Sequence, residues 1–414
     1  MTRLAFALAL LLGGLALSQP DTYFAPIVAR TPASSPVGAT AMGTAIWLPD
    51  PGVATTQSLL FGTGNGTSVP FNLATQALAT VQSFPPQVDA VAAAPGVIVA
   101  GQSRTLLAIL SNGGVTFGTL EQQGFVPRGP ATPISAGTQI ALSAVVGGGA
   151  ALLVADGFQI SRFEIDASGS QVVVSQGGTI PASPSGATDE SNTLVFDGTT
   201  NIGFVGGRVL GDIYQFDARL DAGPPLAFDV ALVSQGRLAA PVSGLALYAV
   251  TSATYLLAAN GQGITLYDLL SANPRGSGVR VIPYDAVGPI TAPAGVSLTN
   301  LAVSPFAQGV IAVGDRTQTD LALLDWGQLA TQVDGGLTVD TTFDPRGPVT
   351  DGGGPDSGVD SGTSPGGGPP IAGGPLGPGV PVEHGSSCAT AAGAPLGVLL
   401  LAGLGLLPRR RQRR

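Results

Sequence analysis

The sequence predicts an all-β chain: a six-bladed β-propeller, followed by a disordered Gly/Pro-rich spacer and a C-terminal hydrophobic helix. Composition, a recurring hairpin and its period carry this expectation. Of 414 residues only 10% are charged, while Gly numbers 61 and Pro 34. Together with many small apolar and β-branched residues, this suits short strands joined by turns better than long helices. The hairpin appears as SLLFGTGNGTSVPFNL from Ser58, GVIVAGQSRTLLAIL from Gly96, ALLVADGFQISRFEI from Ala151, IGFVGGRVLGDIYQF from Ile202, YLLAANGQGITLYDL from Tyr255 and GVIAVGDRTQTDLALL from Gly309. Each copy is an apolar strand, a turn rich in Gly, Asp, Asn or Ser, and a second strand. Successive starts lie 38, 55, 51, 53 and 54 residues apart. A strand-built period near 50 fits propeller blades, each a four-stranded sheet with this hairpin as two of its strands. The first strand is apolar on both faces, as blade-to-blade packing requires. The even spacing argues against a β-sandwich, and the period is long for a β-helix rung. The blades are expected to occupy roughly Pro26 to Arg346.

Taken in order, the chain opens with MTRLAFALALLLGGLALSQP. Arg3, an apolar core from Leu4 to Leu17, and small residues at Ala16 and Ser18 predict a signal peptide over 1–18, cleaved after Ser18. The competing reading, an N-terminal anchor, wants a span of about 20 apolar residues. The propeller follows over 19–345. Residues 346–387, rich in Gly, Pro, Ser and Asp, bury too little to fold and read as a disordered linker. Asp351, Asp356 and Asp360 within it lack the acidic twelfth position of an EF-hand calcium loop. Residues 388–414 form the last segment. Ala389 to Leu407 supplies 19 mainly apolar residues, and five arginines follow within Arg409 to Arg414. That is a span-length helix with a cytoplasmic basic end.

Charge and rare residues exclude several chemistries. The only His, His384, and the only Cys, Cys388, both lie in the tail. An internal disulfide is impossible, and a Ser-His-Asp triad or a His-based metal site would have to use the tail. There is no Lys, so all 17 basic residues are Arg. Without the two ends, 11 Arg face 26 acidic residues, a net charge of about −15. This argues against nucleic acid and anionic lipid surfaces as partners.

Two resemblances add to these readings. Gly385-Ser386-Ser387-Cys388, the hydrophobic segment and the Arg cluster together resemble the myxobacterial C-terminal sorting signal. The resemblance implies processing near Cys388 and anchoring at the cell surface through a modified Cys388; a plain membrane anchor is the alternative. The body resembles the β-propeller phytases from about Ala41 to Ala330. TAIWL at Thr44–Leu48 is similar to that family's Asp-Pro-Ala-Ile-Trp segment. QVDAVAAA at Gln87–Ala94, followed by Gln102-Ser103-Arg104, is similar to its Val-Asp-Ile-Ala-Ala-Ala and Ser-Asn-Arg. SGLALYAVTSATYLLAANGQGITLYDL from Ser243 resembles its Glu-Gly-Leu-Thr-Ile-Tyr blade. GVIAVGD and LLDWGQLA resemble its closing segments. The resemblance implies six blades, carboxylate-held calcium ions that bind phosphates and activate water, and Lys and Arg gripping the substrate.

The charged positions of that pattern are largely absent. Gly43-Thr44 replaces the Asp-Pro, and Gly64-Asn65 replaces paired lysines. Ser191-Asn192 replaces a Glu-Gly, with Glu190 one residue out of register. Gly206, Gly207 and Arg208 replace an acidic run, Ser243 replaces a Glu, and Leu298 to Asn300 carry no carboxylate. Arg104 alone stands at a phosphate-gripping position, where the plainer reading is a salt-bridged arginine. Calcium affinity depends on the number of charged ligands, so the sequence predicts no metal, no cofactor and no phytase mechanism.

The expectation is an exported, surface-anchored, monomeric propeller that has lost catalysis and binds a protein or small-molecule ligand on one face, since fold does not fix function. The membrane is reached only through the C-terminal anchor. A mechanical surface-layer role is not separable from this. The alternative is a calcium-dependent phosphohydrolase using a shifted acidic set: Asp50, Asp89, Asp156, Glu190, Asp197 and Asp315.

Overall fold

The structure is a computed structural model, and it describes residues 22–33, 43–64, 66–121, 124–134, 139–182, 191–207, 213–220, 242–250, 253–261, 263–269, 279–333 and 336–348. The chain divides into two compact units, Met1–Ser357 and Gly358–Arg414, and every described residue belongs to the first. The signal peptide with Ser18, the linker aspartates, His384, Cys388 and the C-terminal helix therefore lie outside the described residues. Among the described residues no helix is long and apolar enough to cross a membrane.

Strand β1 (Thr22–Arg30) precedes a run of antiparallel meanders. The first comprises β2 (Gly43–Trp47), β3 (Leu59–Gly64) and β4 (Thr67–Asn72). The second comprises β5 (Ala90–Val99), β6 (Gln102–Ser111), β7 (Gly114–Glu121) and β8 (Gly124–Pro127), with short β9 (Thr132–Pro133) pairing onto β7. The third comprises β10 (Gln139–Ala144), β11 (Ala150–Ala155), β12 (Gln159–Asp166) and β13 (Val173–Pro181). The fourth comprises β14 (Ser191–Asp197), β15 (Ile202–Gly207) and β16 (Ile213–Asp217). Next come β17 (Val242–Val250), β18 (Ala253–Asn260), β19 (Gly263–Asp268) and β20 (Val279–Tyr284), and finally β21 (Pro293–Thr299), β22 (Val310–Asp315) and β23 (Asp320–Asp325). Helix α1 (Trp326–Gln332) follows, its N-terminus capped by Asp325, whose carboxylate accepts from Gln328 N–H.

Local chemistry explains the hairpins. Between β6 and β7 the turn residues are Asn112 and Gly113, at φ 43° and 80°. Two consecutive positive φ angles are what a twisted two-residue hairpin turn needs, and Asn-Gly tolerates them best. The second strands are largely buried, wholly so in β11 and β22. One sequence copy was out of phase: GVIVAGQSRTLLAIL spans β5 and β6, the first and second strands of its meander. The other copies fall on second and third strands. The apolar second half of β5 mimics a buried second strand, which accounts for the anomalous spacing of 38 residues.

Leading strands touch in a cycle: β2 meets β5, β5 meets β10, β10 meets β14, β14 meets β17, β17 meets β21, and β21 meets β2. The hydrophobic clusters follow the same cycle. Trp47 and Phe61 pack with Val91 and Leu107. Leu106 and Val97 pack with Leu142 and Leu152. Leu153 packs with Phe196 and Val205, and Phe204 packs with Val242 and Leu256. Leu257 packs with Ile311, and Val310 closes the circuit against Leu60 and Phe71. This is a propeller-type architecture, with apolar faces buried between neighbouring sheets. β1, which precedes the first meander in sequence, is built between the outer strands of the last two. Its first half pairs in parallel with β20, Thr22 to Pro26 against Arg280 to Tyr284. Its second half pairs antiparallel with β23, Ile27 to Arg30 against Leu324 to Ala322. One eight-stranded sheet results.

Candidate functional site

The first and second meanders leave an open cleft of about 740 Å³, lined among others by Trp47, Asp50, Val53, Arg104, Leu120 and Glu121. Arg104 stands near the start of β6, opposite Val97 of β5. Glu121 ends β7, and Asp50 lies in the loop after β2. The Arg104 guanidinium donates to Glu121 at 3.0 Å and to the Gln102 side-chain oxygen at 2.7 Å, and its Nε lies 3.7 Å from Asp50. Glu121 also accepts from Arg128, which donates to Thr119 at 3.2 Å. The result is a chain of alternating charge along one side of the cleft. Burial raises the Asp50 carboxyl above its ordinary value; the Arg104 charge opposes this and the Glu121 charge adds to it. Arg104 Nε and Trp47 Nε1 are both buried without a hydrogen-bond partner.

Arg104, the predicted phosphate contact, is thus engaged by carboxylates. The wider acidic set is scattered among separate sheets, and each described member serves its own surroundings. Asp89 accepts from Asn112 N–H at 3.2 Å. Asp156 accepts from Gln159 N–H at 2.8 Å, and Asp197 from Thr199 N–H at 2.9 Å and the Thr200 hydroxyl at 2.8 Å. Asp315 accepts from Thr317 N–H at 2.9 Å and from Arg30. The contacts of Asp156, Asp197 and Asp315 to amides two or three residues on are Asx turns, the usual work of Asp at a hairpin end. Glu190 lies outside the described residues. Among the described residues no three His, Cys, Asp or Glu side chains gather as a metal cluster.

Several of the uncharged residues singled out in the sequence make structural contacts. Ser243 is buried and donates to the carbonyls of Pro293 at 2.7 Å and Ala259 at 3.2 Å, tying β17 to β21. A Cβ on Gly206 would stand 2.6 Å from Val242 Cγ1 and 2.7 Å from Thr193 Cγ2. A Cβ on Gly43 would meet Thr63 Oγ1 at 2.5 Å. The Asn300 side chain donates to Phe343 O at 2.9 Å.

Sequence reasoning missed a second charge cluster. Arg30, last residue of β1, donates to Asp285 at 2.9 Å, Asp315 at 3.0 Å and Asp320 at 2.7 Å. Asp315 and Asp320 face each other across the β22–β23 hairpin, and Asp285 follows β20. Burial lowers the affinity of the Arg30 guanidinium for its proton, yet its bonds to Asp285 and Asp315 and the charges of Asp320 and Asp315 raise it overall. Burial raises the Asp320 carboxyl; Arg30 opposes and the neighbouring aspartates reinforce it. The hairpin spacing alone places Asp315 opposite Asp320. Nothing in the sequence announces that Arg30, some 285 positions from Asp315, completes the group.

No protein-family model matches the chain, and no curated protein matches it. Solved structures do. The chain is similar to BBS1N crystallised with ARL6DN and soaked with lead, at 10% identity over 74% of this chain and 93% of that one, TM-score 0.41. It is similar to the Cps50 (Swd1) β-propeller domain of Myceliophteria thermophila, at 11% identity over 71% and 98%, TM-score 0.38. It is also similar to an auxiliary nutrient binding protein from Bacteroides thetaiotaomicron VPI-5482, at 11% identity over 70% and 69%, TM-score 0.43. At these values the fold rests on the strand order and the cycle of packed sheets.

Proposed function

We propose that the chain is an exported six-bladed propeller, descended from a phytase-like scaffold, that serves as a non-catalytic binding module. Blade count is supported by the cycle of leading strands. Export, and tethering through Cys388 and the C-terminal segment, rest on the sequence at the two ends.

One observation carries the functional reading. The described aspartates of the shifted set are each held by a nearby backbone amide or hydroxyl, or by an arginine. A calcium site needs several oxygen ligands converging on one point. Ser243, where the phytase-like pattern would have a Glu, instead ties β17 to β21. The cleft beside Arg104 then becomes the place for a ligand, since it is concave and mixes apolar side chains with polar and charged groups. Within it Arg104 is the anion contact, exchanging Glu121 for the incoming group.

The test is calorimetric titration of the purified full-length chain with calcium, then with phytate, alongside phosphate release from phytate in the presence of calcium. The expected outcome is no saturable calcium heat and no phosphate. Saturable calcium heat accompanied by phosphate release would overturn the reading in favour of the calcium-dependent phosphohydrolase.

A further inference from the structure

After helix α1 the chain does not leave at the last meander. Residues 336–348 run across the end of the molecule at which β17, β21 and β5 terminate. At one side the segment is seated on three clustered rings. Tyr248 and Trp326 lie 4.2 Å apart at 15°, and Tyr255 packs beside both. Thr338 N–H donates to the Tyr255 hydroxyl at 2.9 Å, Asp340 N–H to the Tyr248 hydroxyl at 3.3 Å, and Trp326 Nε1–H to Thr338 O at 3.2 Å. Leu337, Val339 and Phe343 pack on the same core. Midway, the Asn300 side chain donates to Phe343 O.

The far side reaches the first two meanders. The Ser103 hydroxyl donates to Arg346 O, and Arg346 Nη1 donates to Val53 O at 3.3 Å. Gly96 adopts φ +79°, and a Cβ there would stand 2.9 Å from Pro345 O and closer still to Gly347 O. Only glycine admits this approach. Asp344 and Arg346 form their own bidentate pair, with contacts at 2.9 and 2.7 Å, which fixes the turn carrying these contacts.

We infer that residues 336–348 are a clasp that couples the fifth and sixth meanders to the first and second, independently of β1. The strap touches leading strands, or the residues just beyond them, on both sides of the junction between β21 and β2. That junction is the one place where the beginning and the end of the meander series meet, and β1 does not cross it. A strap fastened at both ends resists separation there.

Hydrogen exchange on the full-length protein tests the coupling. The double variant Tyr248→Phe, Tyr255→Phe keeps the rings and removes the two hydroxyl acceptors at one end. Gly96→Ala pushes the strap away at the other. Two hydrogen bonds lost imply exchange at least about fivefold faster in the released segment. The expected result is that each variant accelerates exchange throughout 336–348 and in the meander at the opposite end: residues 96–111 for the tyrosine variant, 242–260 for Gly96→Ala. Acceleration confined to the mutated end in either variant, or no acceleration, would overturn the clasp.

Discussion

Gly206 shows at the level of single atoms why no side chain stands at this point of the β14–β17 contact. In the phytase-like pattern this stretch carries carboxylates, yet here the neighbouring strand β17 lies against it, with Val242 Cγ1 at 2.6 Å from any added Cβ. Gly206→Ala is expected to destabilise by about 1–3 kcal/mol through overpacking. Gly206→Asp should cost more, because it adds a buried carboxylate without a partner. Thermal unfolding of the two variants checks the order. An unchanged midpoint for Gly206→Asp would mean that the sheets part easily and that a ligand position has survived. The sequence showed Gly206 and Ser243 as uncharged where the resembled pattern carries charges. It did not show that Ser243 donates to Pro293 and Ala259, because that bond depends on how adjacent meanders meet. Arg104 was legible as a charged residue; its partners Glu121 and Arg128 were not, since cross-strand partners follow register rather than spacing.

At the scale of elements, the hairpins were legible and their phase was not always so. The apolar run in β5 resembles a second strand because both of its faces are largely buried. β1 left no hairpin signal, having no partner close in sequence. Its fastening is Arg30, with Asp315 and Asp320 at 2% and 8% side-chain exposure. Arg30→Ala would strand two buried carboxylates beside each other, at a cost of about 3 kcal/mol at neutral pH. The pH dependence follows from the aspartates. Asp320 sits above its ordinary value of 3.8, chiefly through burial. Its contribution to stability is complete below 3.8 and falls as pH rises through the raised value. Asp285 has the opposite sign. Burial pushes it up, but bonds from Val287 N–H, Arg30 and Gly288 N–H hold it below 3.8, so its contribution is lost as pH falls. Removing Arg30 weakens the Asp285 effect and enlarges that of Asp320. The variant should therefore lose most stability at pH 7 and recover part of the deficit near pH 4. A deficit constant across that range, measured by urea unfolding, would show that Arg30 acts through packing rather than charge.

For the molecule as a whole, the period near 50 made the propeller readable, because each meander repeats the same burial problem. Closure was not readable. It joins residues 22–30 to 279–284 and 320–325, and no local pattern names so distant a partner. Yet closure decides whether a cycle of sheets is stable, since an open end exposes both an apolar face and an unpaired edge. Deleting residues 22–30 removes the parallel ladder to β20, the antiparallel ladder to β23, the buried Ala25 and the Arg30 cluster. Net stability of a domain is only about 5–15 kcal/mol. The loss of two ladders and a buried ion cluster should consume at least about 5 kcal/mol of it. The truncated chain is expected to associate through the bared edges of β20 and β23, seen as oligomers by light scattering, with a broadened unfolding transition. A monomer with one sharp transition near that of the intact chain would mean that the packing of β21 on β2, with the strap above it, closes the cycle unaided.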